Sequence, residues 1–142
     1  MSKKISKISI ALGALLLFPL TSVAELVVIA NPNLPVTSLS REQISRIYLG
    51  KMKFLANGAK VIPLDQSPGS PTRTVFYADV MQKSEVEMRS YWSRIIFTGQ
   101  GTQPVQEGDD KSVKDAVASH PSYLGYVDKS AVDGSVKVVF SQ

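Results

Sequence analysis

Val61-Ile62-Pro63-Leu64-Asp65-Gln66-Ser67-Pro68-Gly69-Ser70-Pro71-Thr72-Arg73 is an apolar, strand-like run that empties into a polar turn and leads at once into a helical pattern. With Ser70 as N-cap, Pro71 falls at the first helical position, where its fixed φ suits a helix and its missing N–H would have had no partner anyway. Thr72 and Arg73 then follow at the second and third positions. The hydroxyls of Ser67, Ser70 and Thr72 and the guanidinium of Arg73 gather within one turn of a helix start. Such an end offers free backbone N–H groups and the positive end of the helix dipole. The planar fork of arginine suits two oxygens of a phosphate or sulfate. The plainer reading is that Ser70 only caps the helix and Arg73 lies in solvent; the residues of this stretch alone do not separate the two.

Upstream, Leu26 to Ala30 is a short continuous apolar run rich in β-branched residues, which reads as a buried strand stopped by Asn31-Pro32-Asn33-Leu34-Pro35. Ser40-Arg41-Glu42-Gln43 fits a capping box, and Ile44, Ile47 and Tyr48 give a short helix ended by Gly50. Lys51 to Lys60 reads as irregular, with the strand following at Val61 to Leu64. Downstream, helical spacing covers Thr72 to Met81 and Ser84 to Phe97, the second with Met88, Tyr91, Trp92, Ile95 and Ile96 on its apolar side. Thr98 to Pro104 is a connector. Asp109-Asp110 open a helix through Ala118, with Val113 and Val117 inward and carboxylates placed to suit the dipole. His120-Pro121 stops it, and Tyr123 to Val127 and Val136 to Phe140 read as strands around an Asp133-Gly134 turn. Strands alternating with helices predict an α/β domain, a mixed β-sheet flanked by helices. In such sheets ligands sit outside the carboxyl ends of strands, which is where the Ser67 to Arg73 turn falls.

The beginning of the chain reads as an address. Lys3, Lys4 and Lys7 precede an apolar stretch from Ile8 to Leu20, and Ser22-Val23-Ala24 offers small residues where a signal peptidase inspects. The stretch falls short of the ~20 apolar residues of a membrane span, so residues 1–24 are expected to be a cleaved signal peptide. Residues 25–142 are then one small exported domain, expected in the periplasm. The leader holds three of the sixteen Lys and Arg, leaving thirteen against twelve Asp and Glu. The sequence pI of about 9.4 therefore reflects the leader and gives no case for nucleic acid as a partner. There is no cysteine, which excludes disulfides, thiolate metal sites and cysteine nucleophiles. His120 is the single histidine and has no spaced carboxylate pair nearby. No nucleophile elbow, P-loop or zinc motif occurs. The expectation is a binding protein that is not an enzyme and needs no cofactor. Tyr126 is expected to pack beneath the site or line its mouth, and Trp92 to be core.

Four stretches in order resemble the substrate-binding proteins of phosphate ABC transporters, of the type II periplasmic binding protein class: Asn31-Pro32 with Pro35-Val36; Ser38-Leu39-Ser40 leading to Gln43-Ile44 and Ile47-Tyr48-Leu49-Gly50-Lys51; Gly69-Ser70-Pro71-Thr72-Arg73 with Phe76; and Leu124-Gly125-Tyr126-Val127. The resemblance implies a single lobe of that fold. It also implies noncovalent binding of inorganic phosphate or a similar oxyanion by Ser70, Thr72 and Arg73, with Gly69 keeping the backbone close to the ligand, and the turn's own chemistry adds Ser67 to that expected site. A role in phosphate uptake or sensing, with a membrane transporter or sensor component as partner, follows from the same likeness. Three departures stand out. Pro71 replaces a glycine and removes one N–H donor, Gln66 stands where the family commonly has a further arginine, and the length admits one lobe of a two-lobed clamp. They imply either a second copy completing the site or an accessory module that keeps the fold with little ligand binding.

Overall fold

β1 (Leu26–Ala30) is buried along its whole length. Its alternate residues feed two different cores: Leu26, Val28 and Ala30 face one side of the sheet, Val27 and Ile29 the other. A strand covered on both faces must be apolar throughout, which is why the run shows no alternation. The computed structural model describes residues 13–17 and 25–142; the signal peptide expected over residues 1–24 otherwise lies outside the described residues.

The remaining elements are α1 (Arg41–Tyr48), β2 (Ile62–Asp65), α2 (Pro71–Phe76), α3 (Glu85–Phe97), β3 (Val105–Gln106), α4 (Asp110–Ser119), β4 (Tyr123–Asp128) and β5 (Lys137–Ser141). The five strands form one mixed sheet in the order β3-β2-β4-β1-β5. β2 runs parallel to β3 and β4, whereas β1 pairs antiparallel with β4 and β5. One face carries α1, α2 and α3 over a core that includes Ile44, Tyr48, Phe76, Met88, Trp92 and Tyr126. The other face carries α4, whose Val113 and Val117 cover Val27, Ile29, Leu64 and Val127. This is the α/β architecture expected from the order of elements.

Helix starts follow the capping signals. Ser40 accepts from the Gln43 N–H while the Gln43 side chain returns to the Ser40 N–H, and Ser84 and Glu87 repeat the arrangement for α3. Gly50, at φ +73°, ends α1 in the left-handed region. Three details differ from the sequence expectation. The single helix expected over Thr72 to Met81 is α2 followed by a π-helical turn, Tyr77–Met81, closed by Gln82 at φ 54°; side-chain spacing does not distinguish a widened turn from an α-turn. The connector leads into β3, whose two exposed residues pair only with Leu64 and Asp65; so short a strand has no period to read. Ile96, placed on the apolar side of its helix, is 50% exposed because that side of α3 is wider than the core beneath it.

Gly125 sets the spacing between β4 and α4. A Cβ there would stand 2.5 Å from Cγ1 of Val113 and 3.1 Å from Cγ2 of Val117. Gly125→Ala is expected to lower stability by ~1–3 kcal/mol through overpacking, read as a lower urea midpoint with an unchanged slope.

Candidate functional site

β2 and β4 are parallel neighbours, so their carboxyl ends open on the same side. The turn after β2, the start of α4 and the segment after β4 meet there around an open cleft of about 1100 Å3. Ser67, Ser70 and Thr72 line it from one wall, Asp109, Asp110 and Ser112 from a second, and Asp128, Lys129 and Ser130 from a third.

The turn is fixed by its own backbone. Ser67 N–H donates to the Gly108 carbonyl at 2.9 Å and Ser70 N–H to the Ser67 carbonyl at 3.1 Å. Gly69 holds φ +89° with open space where a Cβ would be. Ser70 is the N-cap, and its Oγ accepts from Arg73 N–H at 3.3 Å. Thr72 N–H, at the second helical position, is too near the start to reach an intrahelical carbonyl, and Thr72 lines the cleft.

Beneath the turn lies a closed polar network. The Asp65 carboxylate, 5% exposed, accepts from the Tyr126 hydroxyl, from the Tyr77 hydroxyl at 2.5 Å and from Gln66 N–H at 2.9 Å. Tyr126 stacks on Phe76 with centroids 3.9 Å apart, and Tyr48 meets Phe76 edge-on at 4.7 Å. The Tyr48 hydroxyl donates to the Leu64 carbonyl at 2.8 Å. Burial, and secondly the nearby Asp65 charge, push the Tyr48, Tyr77 and Tyr126 hydroxyls well above the usual phenol range. Tyr126 therefore packs beneath the site and does not line its mouth.

Gln66 is fully buried and every polar group on it is used. Its amide donates to the Asp110 carboxylate at 2.7 Å and the Tyr126 carbonyl at 2.9 Å, its Oε1 accepts from the Ser70 hydroxyl at 2.5 Å, and its carbonyl accepts from Nη1 of Arg73 at 2.8 Å. Asp110 in turn accepts from Thr72 Oγ1 at 3.3 Å and from Asp128 N–H at 3.3 Å. Asp109 caps α4 by accepting from Ser112 N–H, which holds its carboxyl below the usual range.

The structure therefore brings Ser67, Ser70 and Thr72 together at one wall, leaves Gly69 in the turn between them without lining the cleft, and turns Arg73 to the other side of α2. Arg73 does not lie in solvent, as the plainer reading had it. It is 9% exposed, stacks on the Tyr77 ring at 4.9 Å and has Nε 3.7 Å from Glu85. The sequence reading took Asp110 only for a helix-start charge. Its reach to Thr72 and Gln66 spans a separation of about forty residues, which no local pattern announces. Among the described residues no cluster of His, Cys, Asp or Glu could hold a metal, and no helix is long and apolar enough to cross a membrane.

No family model matches this chain. Solved structures do. An ABC-type phosphate transport receptor from Vibrio cholerae superimposes with a TM-score of 0.65 at 22% identity, over 82% of this chain and 45% of its own. A putative phosphate ABC transporter substrate-binding protein with bound phosphate from Clostridium perfringens gives 0.66 at 25%, over 82% and 44%. PstS from Borrelia burgdorferi gives 0.60 at 13%, over 82% and 46%. The chain thus spans under half the length of these solved structures. Its fold is that of one part of a phosphate-transport substrate-binding protein, and the resemblance drawn from the four sequence stretches holds.

The tyrosine network carries a pH signature. Unfolded tyrosines ionise near pH 10, whereas Tyr48, Tyr77 and Tyr126 stay protonated in the folded chain. Their contribution is complete below pH 10 and is lost as pH rises above it, at up to ~1.4 kcal/mol per pH unit for each tyrosine. Urea unfolding at stepped alkaline pH is expected to show that fall, less steep by one such increment in Tyr77→Phe.

Proposed function

We propose that residues 25–142 form an exported, noncovalent oxyanion-binding module of the phosphate-binding-protein type, working in the periplasm in phosphate uptake or sensing. The observation that supports this most is the coincidence of the Gly69-Ser70-Pro71-Thr72-Arg73 turn with a cleft at the carboxyl ends of two parallel strands, within a fold shared with a phosphate-bound protein. Ser67 offers a hydroxyl to the anion and Thr72 a backbone N–H, the Ser70 and Thr72 hydroxyls join on leaving Gln66 and Asp110, and Gly69 keeps the backbone low. Arg73 contributes charge from behind the turn through the Gln66 carbonyl.

Asp110 favours phosphate among oxyanions. A carboxylate repels a fully ionised anion such as sulfate but accepts a hydrogen bond from one that still carries a proton, as hydrogen phosphate does. Pro71 lacks an N–H, Gln66 is spent on internal bonds, and among the described residues the cleft stays open on one side, so the grip is weak or shared. A second copy of the chain or a transporter or sensor component would close that side.

Titration calorimetry of the purified protein with phosphate and sulfate tests this. Phosphate is expected to bind and sulfate to bind more weakly. Thr72→Val is expected to weaken phosphate about tenfold, or ~1.4 kcal/mol, and Asp110→Asn to narrow the phosphate preference. Absence of heat with phosphate sinks the proposal.

A second reading is supported by the same carboxylate. Asp110 already satisfies Thr72 and Gln66, and Glu25, Asp109 and Asp128 share the cleft with a single cation, Lys129, which pairs with Glu25 at 3.2 Å. Such a cleft suits an accessory module that acts through a protein partner and not through an anion. Recovery of one specific envelope protein, undiminished by Thr72→Val and by phosphate, would decide for it.

A further inference from the structure

On the far side of α2 from the cleft lies a second cavity, of about 310 Å3, between the turn, α3 and the segment leading into β3. It is within the size range of small-molecule sites. Arg73 lines it. Of that guanidinium, Nη1 is spent on the Gln66 carbonyl, and Nε is buried with no hydrogen-bond partner, its nearest carboxylate oxygen being 3.7 Å away on Glu85. No protein acceptor reaches Nη2 among the described residues. Nε is closed off from solvent beside Glu85, so Nη2 is the part of this cavity-lining guanidinium left for a ligand acceptor.

The rest of the lining matches. Arg89, one turn along α3 from Glu85, reaches no carboxylate at ion-pair distance among the described residues and lines the same cavity. Gln103 and Gln106 add amide donors at the rim. The only carboxylate in the lining is Asp65, whose oxygens are held by Tyr126, Tyr77 and Gln66 N–H. Beside Arg89 on the same helix, Met88, Trp92 and Ile96 make the apolar part of the lining. From this we infer that the cavity binds a small organic carboxylate, with its carboxylate between Arg73 and Arg89 and its hydrocarbon body on Met88, Trp92 and Ile96. An inorganic oxyanion would leave that apolar wall uncovered. The site is separate from the cleft and does not depend on phosphate binding there.

Trp92 is the sole tryptophan of the chain, so its emission reports this cavity directly. Hexanoate is the probe, with hexanol and inorganic phosphate as comparisons. Hexanoate is expected to shift the emission saturably, hexanol at equal concentration not to, and phosphate to need at least about tenfold more. Arg89→Met is expected to weaken hexanoate about tenfold, the effect of losing one charged hydrogen-bond partner. Arg89 is exposed, so this variant keeps the test open if Arg73→Lys does not fold. Thr72→Val is expected to leave the response unchanged. No saturable response to hexanoate, an equal response to hexanol, or indifference to Arg89→Met overturns the inference. A response to phosphate that Thr72→Val abolishes also overturns it, since Trp92 would then be reporting the cleft. Failure here leaves the calorimetric test of phosphate in the cleft untouched.

Discussion

A carboxylate shut away from water at the end of β2 has to be given donors, and Asp65 receives them from three different parts of the chain. Tyr126 comes from β4, Tyr77 from the π-helical turn, and the Gln66 N–H from the first residue of the turn itself. Each donor is anchored in turn: Tyr126 by stacking on Phe76, Tyr77 by the Arg73 guanidinium over its ring, Gln66 by Asp110 and the Tyr126 carbonyl. The direction in which the turn leaves the sheet is therefore set by one buried carboxyl group and the hydrogen bonds it demands. The π-helical turn fits the same account. Widening the helix after Phe76 is the local adjustment that accompanies a buried Tyr77 hydroxyl on Asp65, and such turns recur at functional places.

Charge is distributed around this network in an uneven way. The cleft side of α2 is rich in carboxylates, whereas the side facing α3 holds two guanidinium groups. Gln66 lies between them, neutral and fully bonded, donating to a carboxylate on one side and accepting from an arginine on the other. The bond from Arg73 goes to the backbone carbonyl, whereas the side chain reaches Asp110. The glutamine at this place thus answers to Asp110 and Ser70, and Arg73 to the backbone beside it.

Much of the fold was legible because its signals are local. The unbroken apolar run of β1, the capping box at Ser40, Gly50 at the end of α1 and the inward pair Val113 and Val117 all follow from spacing and cap chemistry over a few residues. The position of the turn beside a helix start was legible for the same reason. Side-chain direction within the site was not. Whether Arg73 looks toward the cleft or away depends on Tyr77, Glu85 and the Gln66 carbonyl, and Asp110 reaches Thr72 from another helix. Those choices belong to tertiary packing, which periodicity does not encode.

β1 lies inside the sheet, between β4 and β5. The first strand of the domain therefore has no neighbour to pair with until Tyr123–Asp128 and Lys137–Ser141 have been made. Loops that span most of a domain close late and slowly. Before then the named strands offer only the two-residue pairing of β2 with β3, and the apolar first strand waits uncovered.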